Sequence, residues 1–537
     1  MKFSFDFPEP SVEFGGYRFG ALVFTRENAY GLDATQMRVE RRDDGLRIHA
    51  GGLVWAGGQE HAAGQVTIDL RQAGGAIEAS VTAETTRPIK SVSLIVRGVP
   101  RGRVSAGYDF FDPRDNELLF GYPFSAGDLF GPGSAGGLTT PFLMVKKSDT
   151  EHFFISSLDD RVRAKRFYLQ PGEGAYKLEA GWEVEGWKNL TRVQVPTWRL
   201  GTVTDASDAL RAHYAHVERA YALPTWDART DVPAWLRSTA LVTTLHGQHY
   251  TGYIFNDYAR MLETLRWMAA EIPPSRVLVF LSAWDGRYYW DYPRYTADQR
   301  MGGAAGFRRL IHEGQQLGFR MMPMFGANAA NRRQPIFGSI ADAASAKIDG
   351  DTMDLNWVDW DNDRHQDGWL AYMNLGVRSW RSHLMHRIAD MIDRYGVDAY
   401  FLDIAGGWTN NPRADMHEGM RELVLGLRRR YPHVLGVGEM HYDALLQFLP
   451  LYHAGGGGQA SPFVQRYARF FQHLSHPAPG RGSSGVHESG FGRFDNDTLS
   501  LAASAIPTLQ VVDDTFASHR DTMRAVIRRA RERAGIA

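Results

Sequence analysis

The sequence predicts an antiparallel β-sandwich followed by a (β/α)8 barrel, and three observations carry that prediction. The first two hundred residues show short period-2 segments separated by turn residues. From about residue 235 the period changes, and apolar strands alternate with amphipathic helices. Two of those strands, Ala399–Leu402 and the run from His433, end in a carboxylate, Asp403 and Glu439. At 537 residues the chain is too long for one ordinary core, so more than one domain is expected.

In the first part, Val66, Ile68 and Leu70 alternate with polar neighbours. A turn at Gly74-Gly75 leads into Ile77, Ala79 and Val81, and Val92, Leu94 and Val96 repeat the pattern. His152–Leu158 and Tyr176–Val184 do the same. Evenly spaced short strands with Gly and Asp turns predict an antiparallel sandwich. Tyr108–Pro141, rich in Gly, Pro, Phe and Asp, reads as one long loop, ordered against a neighbour or functional. Helical spacing over Ser207–Ala222 leads into a Pro-flanked connector, Pro224–Pro233. The predicted domains are therefore 1–222, the sandwich, and 223–537, the barrel.

In the second part, Ser238–Leu245 predicts a first strand, ending at His246 and Gln248. Asn256 or Asp257 can cap a helix whose apolar stripe is Met261, Leu265, Met268 and Ile272. Val277–Leu281 is the next strand, ending at Trp284-Asp285. Phe307, Leu310, Ile311, Gly314 and Leu317 mark a helix that Gly318 closes. Met321–Phe325 follows, ending near Asn328. The helix Trp380–Tyr395 stops at Gly396, a glycine placed as a C-cap, before the strand that reaches Asp403. The helix Met416–Arg430 precedes the strand ending at Glu439. Leu509–Val512 reads as a last strand and Ser518–Arg533 as a closing helix. Strands six and seven leave no clear sequence signal.

Composition narrows the function. With 60 basic and 61 acidic residues the chain has no electrostatic appetite for nucleic acid or anionic membranes. The absence of cysteine removes disulfides, thiolate metal sites and a thiol nucleophile. No apolar run reaches the roughly 18 residues of a membrane span, and the first residues lack the apolar core of a signal peptide, so a cytoplasmic location is expected. No cofactor and no metal site are implied: His246 and His249 lack the spacing of a barrel metal site, and the acidic stretch Asp351–Asp367 reads as a solvated loop with calcium as a minor alternative. The oligomeric state is open. The 14 Trp and 22 Tyr are a generous supply of flat, half-polar side chains of the kind that stack on sugar rings.

Two carboxylates on successive strand ends are the parts of a glycosidase, which needs one ionised carboxylate and one protonated carboxyl about 5–5.5 Å apart for retention. Adjacent strands lie roughly 4.8 Å apart, so neighbouring strand tips can meet that distance. Asp403, short and followed by Gly406 and Gly407, suits the nucleophile. Glu439, longer and set among apolar residues, suits the general acid/base. Trp284, Asp285 and Asp291 read as sugar-binding, a carboxylate beside an indole face being able to grip vicinal hydroxyls. Trp408 and Asn410 follow the nucleophile and could wall a pocket. His246, Gln248, Asn328 and His441 are candidate hydroxyl partners, and His487-Glu488, in a Gly/Ser-rich loop, could contact substrate. Competing readings are a barrel isomerase, lyase or metal-dependent hydrolase, and a catalytically idle carbohydrate-binding protein.

Several stretches together resemble the α-amylase-like and related retaining α-glycosidases. Trp284–Pro293 with Asp298–Gly303 and Leu317–Arg320 is similar to a run found between their second and third strands. Met373-Asn374-Leu375-Gly376 before a Trp-Arg helix is also similar to theirs. Gly396–Asp403 resembles the strand-four nucleophile motif and Gly438-Glu439 the strand-five acid. The first domain resembles the supersandwich that precedes endo-α-N-acetylgalactosaminidase barrels. The resemblance implies a carbohydrate substrate, α-linkage and retention. It departs at Phe401, where amylases carry arginine, and at Asn328 and Asn331, where they carry Asp and His after strand three. His487-Glu488 is the nearest candidate for their late histidine–aspartate pair.

Overall fold

A computed structural model of the chain describes residues 10–106, 110–123, 136–249, 252–287, 289–347, 350–354, 369–454, 462–472, 505–512 and 515–536. The chain divides into two compact units. One comprises Met1–Leu223 with two short later segments, Trp408–Pro412 and Tyr442–Ala444; the other holds the remainder from Pro224 onward.

The first unit is built from two large sheets. In one, Leu118–Tyr122, Lys165–Pro171, Ala175–Glu183, Ile89–Pro100 and Tyr17–Thr25 lie side by side and antiparallel. In the other the path runs Phe142–Ser148, Glu151–Ser157, Arg192–Val203, Ala76–Thr85, Gly64–Ala73 and Gly45–Ala50, again antiparallel. The alternation seen in the sequence is real: in Ala175–Glu183 every second residue is buried. Phe167 of the first sheet meets Trp198 of the second edge-on at 5.5 Å, so apolar faces of the two sheets form a common core. Tyr108–Pro141 is not one loop, because Leu118–Tyr122 pairs with Lys165–Pro171 and Gly136–Gly137 extends the same sheet. Its Gly and Pro content hid short strands. A helix over Ala206–Ala220 is capped by Asp205, whose side chain accepts from Ser207 N–H.

The second unit is organised on a nearly closed, barrel-like parallel sheet. Its strands in chain order are β1 (Leu241–Gln248), β2 (Val277–Arg287), β3 (Arg320–Gly326), β4 (Ala399–Asp403), β5 (Leu435–Glu439), β6 (Leu451–Ala454), β7 (Arg469–Gln472), β8 (Ala505–Ile506) and β9 (Thr508–Val511). Spatially β1 to β8 follow one another, and β9 returns to pair with β1. Only Pro507 separates β8 from β9. A proline has no N–H to give to the ladder, which accounts for the interruption, yet its carbonyl still accepts from Val242 N–H at 2.9 Å. The two strands without a periodic sequence signal are β6 and β7, each four residues long.

Amphipathic helices alternate with the strands: α1 (Tyr258–Glu271), α2 (Gly303–Leu317), α3 (Arg378–Tyr395), α4 (Met416–Arg430) and α5 (Arg520–Arg533). Asp257, rather than Asn256, caps α1 by accepting from Arg260 N–H. The Asn256 amide instead donates to the carbonyls of His246 on β1 and Val511 on β9. Gly396 closes α3 with φ 68°, in the left-handed region where glycine carries no steric penalty. Among the described residues no helix is long and apolar enough to cross a membrane.

Candidate active site

Aromatic rings from four strands meet inside the barrel-like sheet. Phe280 of β2 lies 4.4 Å from Phe401 of β4, and both pack on His453 of β6 and Phe471 of β7. These side chains therefore point inward. Asp403 follows Phe401 by two residues, so the period of two turns it inward as well, at the carboxyl end of β4. Leu402 and Gly438 are register partners, which sets Asp403 and Glu439 side by side on the same face, and Glu439 is in turn the partner of His453. Both carboxylates are buried, Asp403 at 1% and Glu439 at 5% exposure.

The backbone turns sharply after each of them. Ile404 has φ 57° and Met440 φ 56°. A β-branched residue in the left-handed region is a genuine outlier, and several hydrogen bonds hold it there. Ile404 N–H donates to Glu439 Oε2 at 2.8 Å. The Asn328 amide donates to Ile404 O at 2.8 Å and to Gly407 O at 3.3 Å. Gly406 N–H donates to Glu439 O, Met440 N–H to His453 O and Ala327 N–H to Asp403 O. The turn after β4 is thus tied to β5, and β5 to β6, by backbone groups at the level of the carboxylates.

One wall beside Asp403 is aromatic. Gly326, the register partner of Asp403, lies against the Tyr292 ring, where a Cβ would stand 2.3 Å from Cε2. Burial, and then the charge of Asp403, hold the Tyr292 phenol well above its ordinary range. The neighbouring Tyr295 hydroxyl accepts from Gly326 N–H and donates to Gly326 O. Burial and then the charge of Asp285 raise that phenol too. Asp285 is 2% exposed, and its Oδ2 has no hydrogen-bond partner among the described residues. Burial first, and the charge of Asp291 second, push its carboxyl up to about 7. Asp291 is fixed by Arg287 N–H at 2.7 Å and by Arg294 at 3.5 Å.

His246 lies on the interior face of β1, with Nδ1 2.9 Å from Ser282 Oγ. Gln248 is held at both ends, donating to Gly252 O and accepting from Arg300. Two candidates of this unit face away from the interior. Trp284 faces the helix layer: Nε1–H donates to Met324 O and the indole packs on Phe307 of α2 and on Phe325. Ala283, with φ 48°, breaks the alternation just before it and turns the indole away from the interior. His441 packs on Tyr452 and Phe470, each one residue out of phase with the inward His453 and Phe471, so it lies on the outer face, where burial lowers its imidazole to about 4. Asn410, in the first unit, donates its amide N–H to Glu183 and Val184 O and accepts from Gly186 N–H. Trp408 belongs to that unit also and is buried. His487 and Glu488 lie outside the described residues. Sequence reasoning missed His453, Tyr292 and Tyr295. The run Leu451-Tyr-His-Ala-Gly-Gly repeats the pattern of an apolar strand ending in a polar residue before glycines, and that signal could have located His453.

Among the described residues no group of three or more His, Asp or Glu side chains could hold a metal ion. The arrangement offers instead two interior carboxylates, one anchored by an N–H donor, beside phenols and a neutral-leaning carboxyl.

The fold is one shared with glycoside hydrolases. No family model matches the sequence, and no curated protein does. Among solved structures, the α-N-acetylgalactosaminidase NagBb from Bifidobacterium bifidum in its GalNAc complex is similar over 97% of this chain and 93% of its own, at 13% identity and a TM-score of 0.66. A GH31 family sulfoquinovosidase from E. rectale, in complex with an aza-sugar inhibitor, matches over 98% and 81% at 11% identity and a TM-score of 0.60. The GH36 α-galactosidase AgaA from Geobacillus stearothermophilus matches over 96% and 76% at 10% identity and a TM-score of 0.51.

Proposed function

We propose that this chain is a retaining glycoside hydrolase acting on α-linked sugars, with Asp403 as nucleophile and Glu439 as general acid/base. The reading takes the parallel sheet as an eightfold β/α barrel whose last strand, residues 505–511, is broken at Pro507. One observation carries it: two buried carboxylates set side by side on the interior face at the carboxyl ends of β4 and β5. That end of a parallel barrel is where catalytic groups gather. The α preference is supported by the names of the similar structures, an α-N-acetylgalactosaminidase and an α-galactosidase among them.

In this mechanism Glu439 gives its proton to the glycosidic oxygen as the bond to the anomeric carbon breaks. Asp403 attacks that carbon from the opposite face and forms a glycosyl ester. Glu439, now ionised, takes a proton from water, which hydrolyses the ester with a second inversion. Asp285 and Asp291 are assigned to substrate hydroxyls, with the Tyr292 and Tyr295 rings as a wall.

The test is a panel of 4-nitrophenyl α- and β-glycosides, N-acetyl-α-galactosaminide and α-galactoside included, with the first product anomer followed by NMR. Asp403→Ala and Glu439→Gln should lose turnover by roughly a thousandfold or more while melting like the wild type. Near wild-type turnover in either variant, or release of the inverted anomer first, refutes the assignment.

A further inference from the structure

We propose that His453 is the positioning residue of the acid/base, orienting Glu439 and setting how tightly it holds its proton. The inference rests on the role given to Glu439 above.

The two oxygens of Glu439 are not equivalent. Oε2 accepts the Ile404 N–H at 2.8 Å, while Oε1 is the oxygen nearest His453, 3.9 Å from Nδ1. An oxygen that already accepts an N–H has less lone-pair capacity left for a proton. The proposal accordingly assigns the transferable proton to Oε1, on the side of the imidazole. His453 is fully buried, stacked on Phe471 at 4.7 Å and met edge-on by Phe280 and Phe401. Those three rings fix the plane of the imidazole, and its proposed role is that of an N–H donor to Glu439. The Met440 N–H bond to His453 O fixes the backbone of this partner at the level of Glu439.

Among the described residues, the other titratable groups at this end include Asp403 on β4, with the buried Tyr292 and Tyr295 phenols and the Asp285 carboxyl near it, and, across the barrel beside Ser282, His246 on β1. Asp403 disfavours ionisation of Glu439, and an N–H from His453 favours it. Closing 3.9 Å to hydrogen-bond length needs about 1 Å of side-chain movement, and catalytic hydrogen bonds commonly tighten only when substrate binds. During glycosidic cleavage the Glu439 proton goes to the leaving oxygen, which departs with the bonding electrons. His453 keeps its own proton throughout and stabilises the carboxylate left behind.

His453→Phe keeps the ring stack and removes the nitrogens; His453→Gln returns an N–H on a flexible chain. Glu439→Gln serves as the control. The substrates are a 2,4-dinitrophenyl and a methyl α-glycoside of the sugar that wild type prefers. His453→Phe should slow the methyl glycoside roughly tenfold to a hundredfold and the dinitrophenyl glycoside, which needs little acid assistance, by less than about threefold. The basic limb of kcat/KM should move up by about one pH unit, because losing the donor makes Glu439 hold its proton more tightly. His453→Gln should restore part of both effects. A wild-type reading needs no change at position 453: the His453 15N resonances should differ between wild type and Glu439→Gln. Equal losses on both substrates with an unmoved basic limb, or unchanged resonances, overturn the inference while leaving Glu439 as the acid. Methyl glycoside turnover by Glu439→Gln overturns both.

Discussion

Glu439 Oε2 accepts a 2.8 Å hydrogen bond from the N–H of Ile404, the residue directly after Asp403. The end of β4 and the side chain closing β5 are thereby one structure. A change that relaxes the turn at Ile404 also loosens Glu439, so the two proposed catalytic groups are expected to fail together when their support is removed.

Asn328 is the clearest such support. Its amide donates to the carbonyls of Ile404 and Gly407, and it is 1% exposed. Asn328→Ala should cost about 1–3 kcal/mol in urea unfolding, since two buried carbonyls lose a donor. Activity should fall by more than tenfold even where the protein is fully folded. A stable Asn328→Ala enzyme with wild-type kcat refutes this coupling.

Gly326→Ala probes the aromatic wall. A Cβ there would overlap the Tyr292 ring, and the Tyr295 hydroxyl is only 3.1 Å from the same point. Overpacking of this kind costs typically 1–3 kcal/mol. Because Gly326 is the register partner of Asp403, kcat should drop as well, measured on the preferred 4-nitrophenyl glycoside.

Trp284→Phe distinguishes packing from sugar binding. The indole is 0% exposed and donates to Met324 O. Replacement should lower stability by about 1–3 kcal/mol through the orphaned carbonyl and lost volume. KM should stay within about twofold. A KM rise of tenfold or more with unchanged stability would return Trp284 to the substrate.

Asp443, in the first unit, makes stability depend on pH. It is buried, accepting from Tyr122 at 2.6 Å and from Thr140 at 2.8 Å. Burial is the largest influence, opposed by those donors, and the carboxyl is raised from 3.8 to about 6. A carboxyl raised on folding favours the folded state below the unfolded value, and that contribution is lost as pH rises through about 6. The loss amounts to about 3 kcal/mol. Asp443→Asn should flatten the urea midpoint between pH 4 and 7 relative to wild type. An unchanged slope over that window excludes the mechanism.

Much of the architecture was legible because local physics wrote it. Period-2 burial in Ala175–Glu183, the apolar stripe of α1 and the left-handed Gly396 each follow from a few neighbouring residues. The ends of β4 and β5 at Asp403 and Glu439 could be read the same way. Periodicity could not reveal β6 and β7, because four residues buried among other strands carry no period of their own, and only the glycines after Ala454 mark the end of β6.

What the sequence alone determined is therefore the succession of elements and which carboxylates end a strand, since both depend on spacing along the chain. Which way a strand-end side chain points was decided by tertiary structure. The left-handed Ala283 sends Trp284 outward, and β6 places His453 inward beside Glu439 and His441 outside. The placement of the two histidines depends on the register between strands, and a shift of one residue exchanges the two faces of a sheet, while the turn at Ala283 is held by the packing of the indole on Phe307 and Phe325.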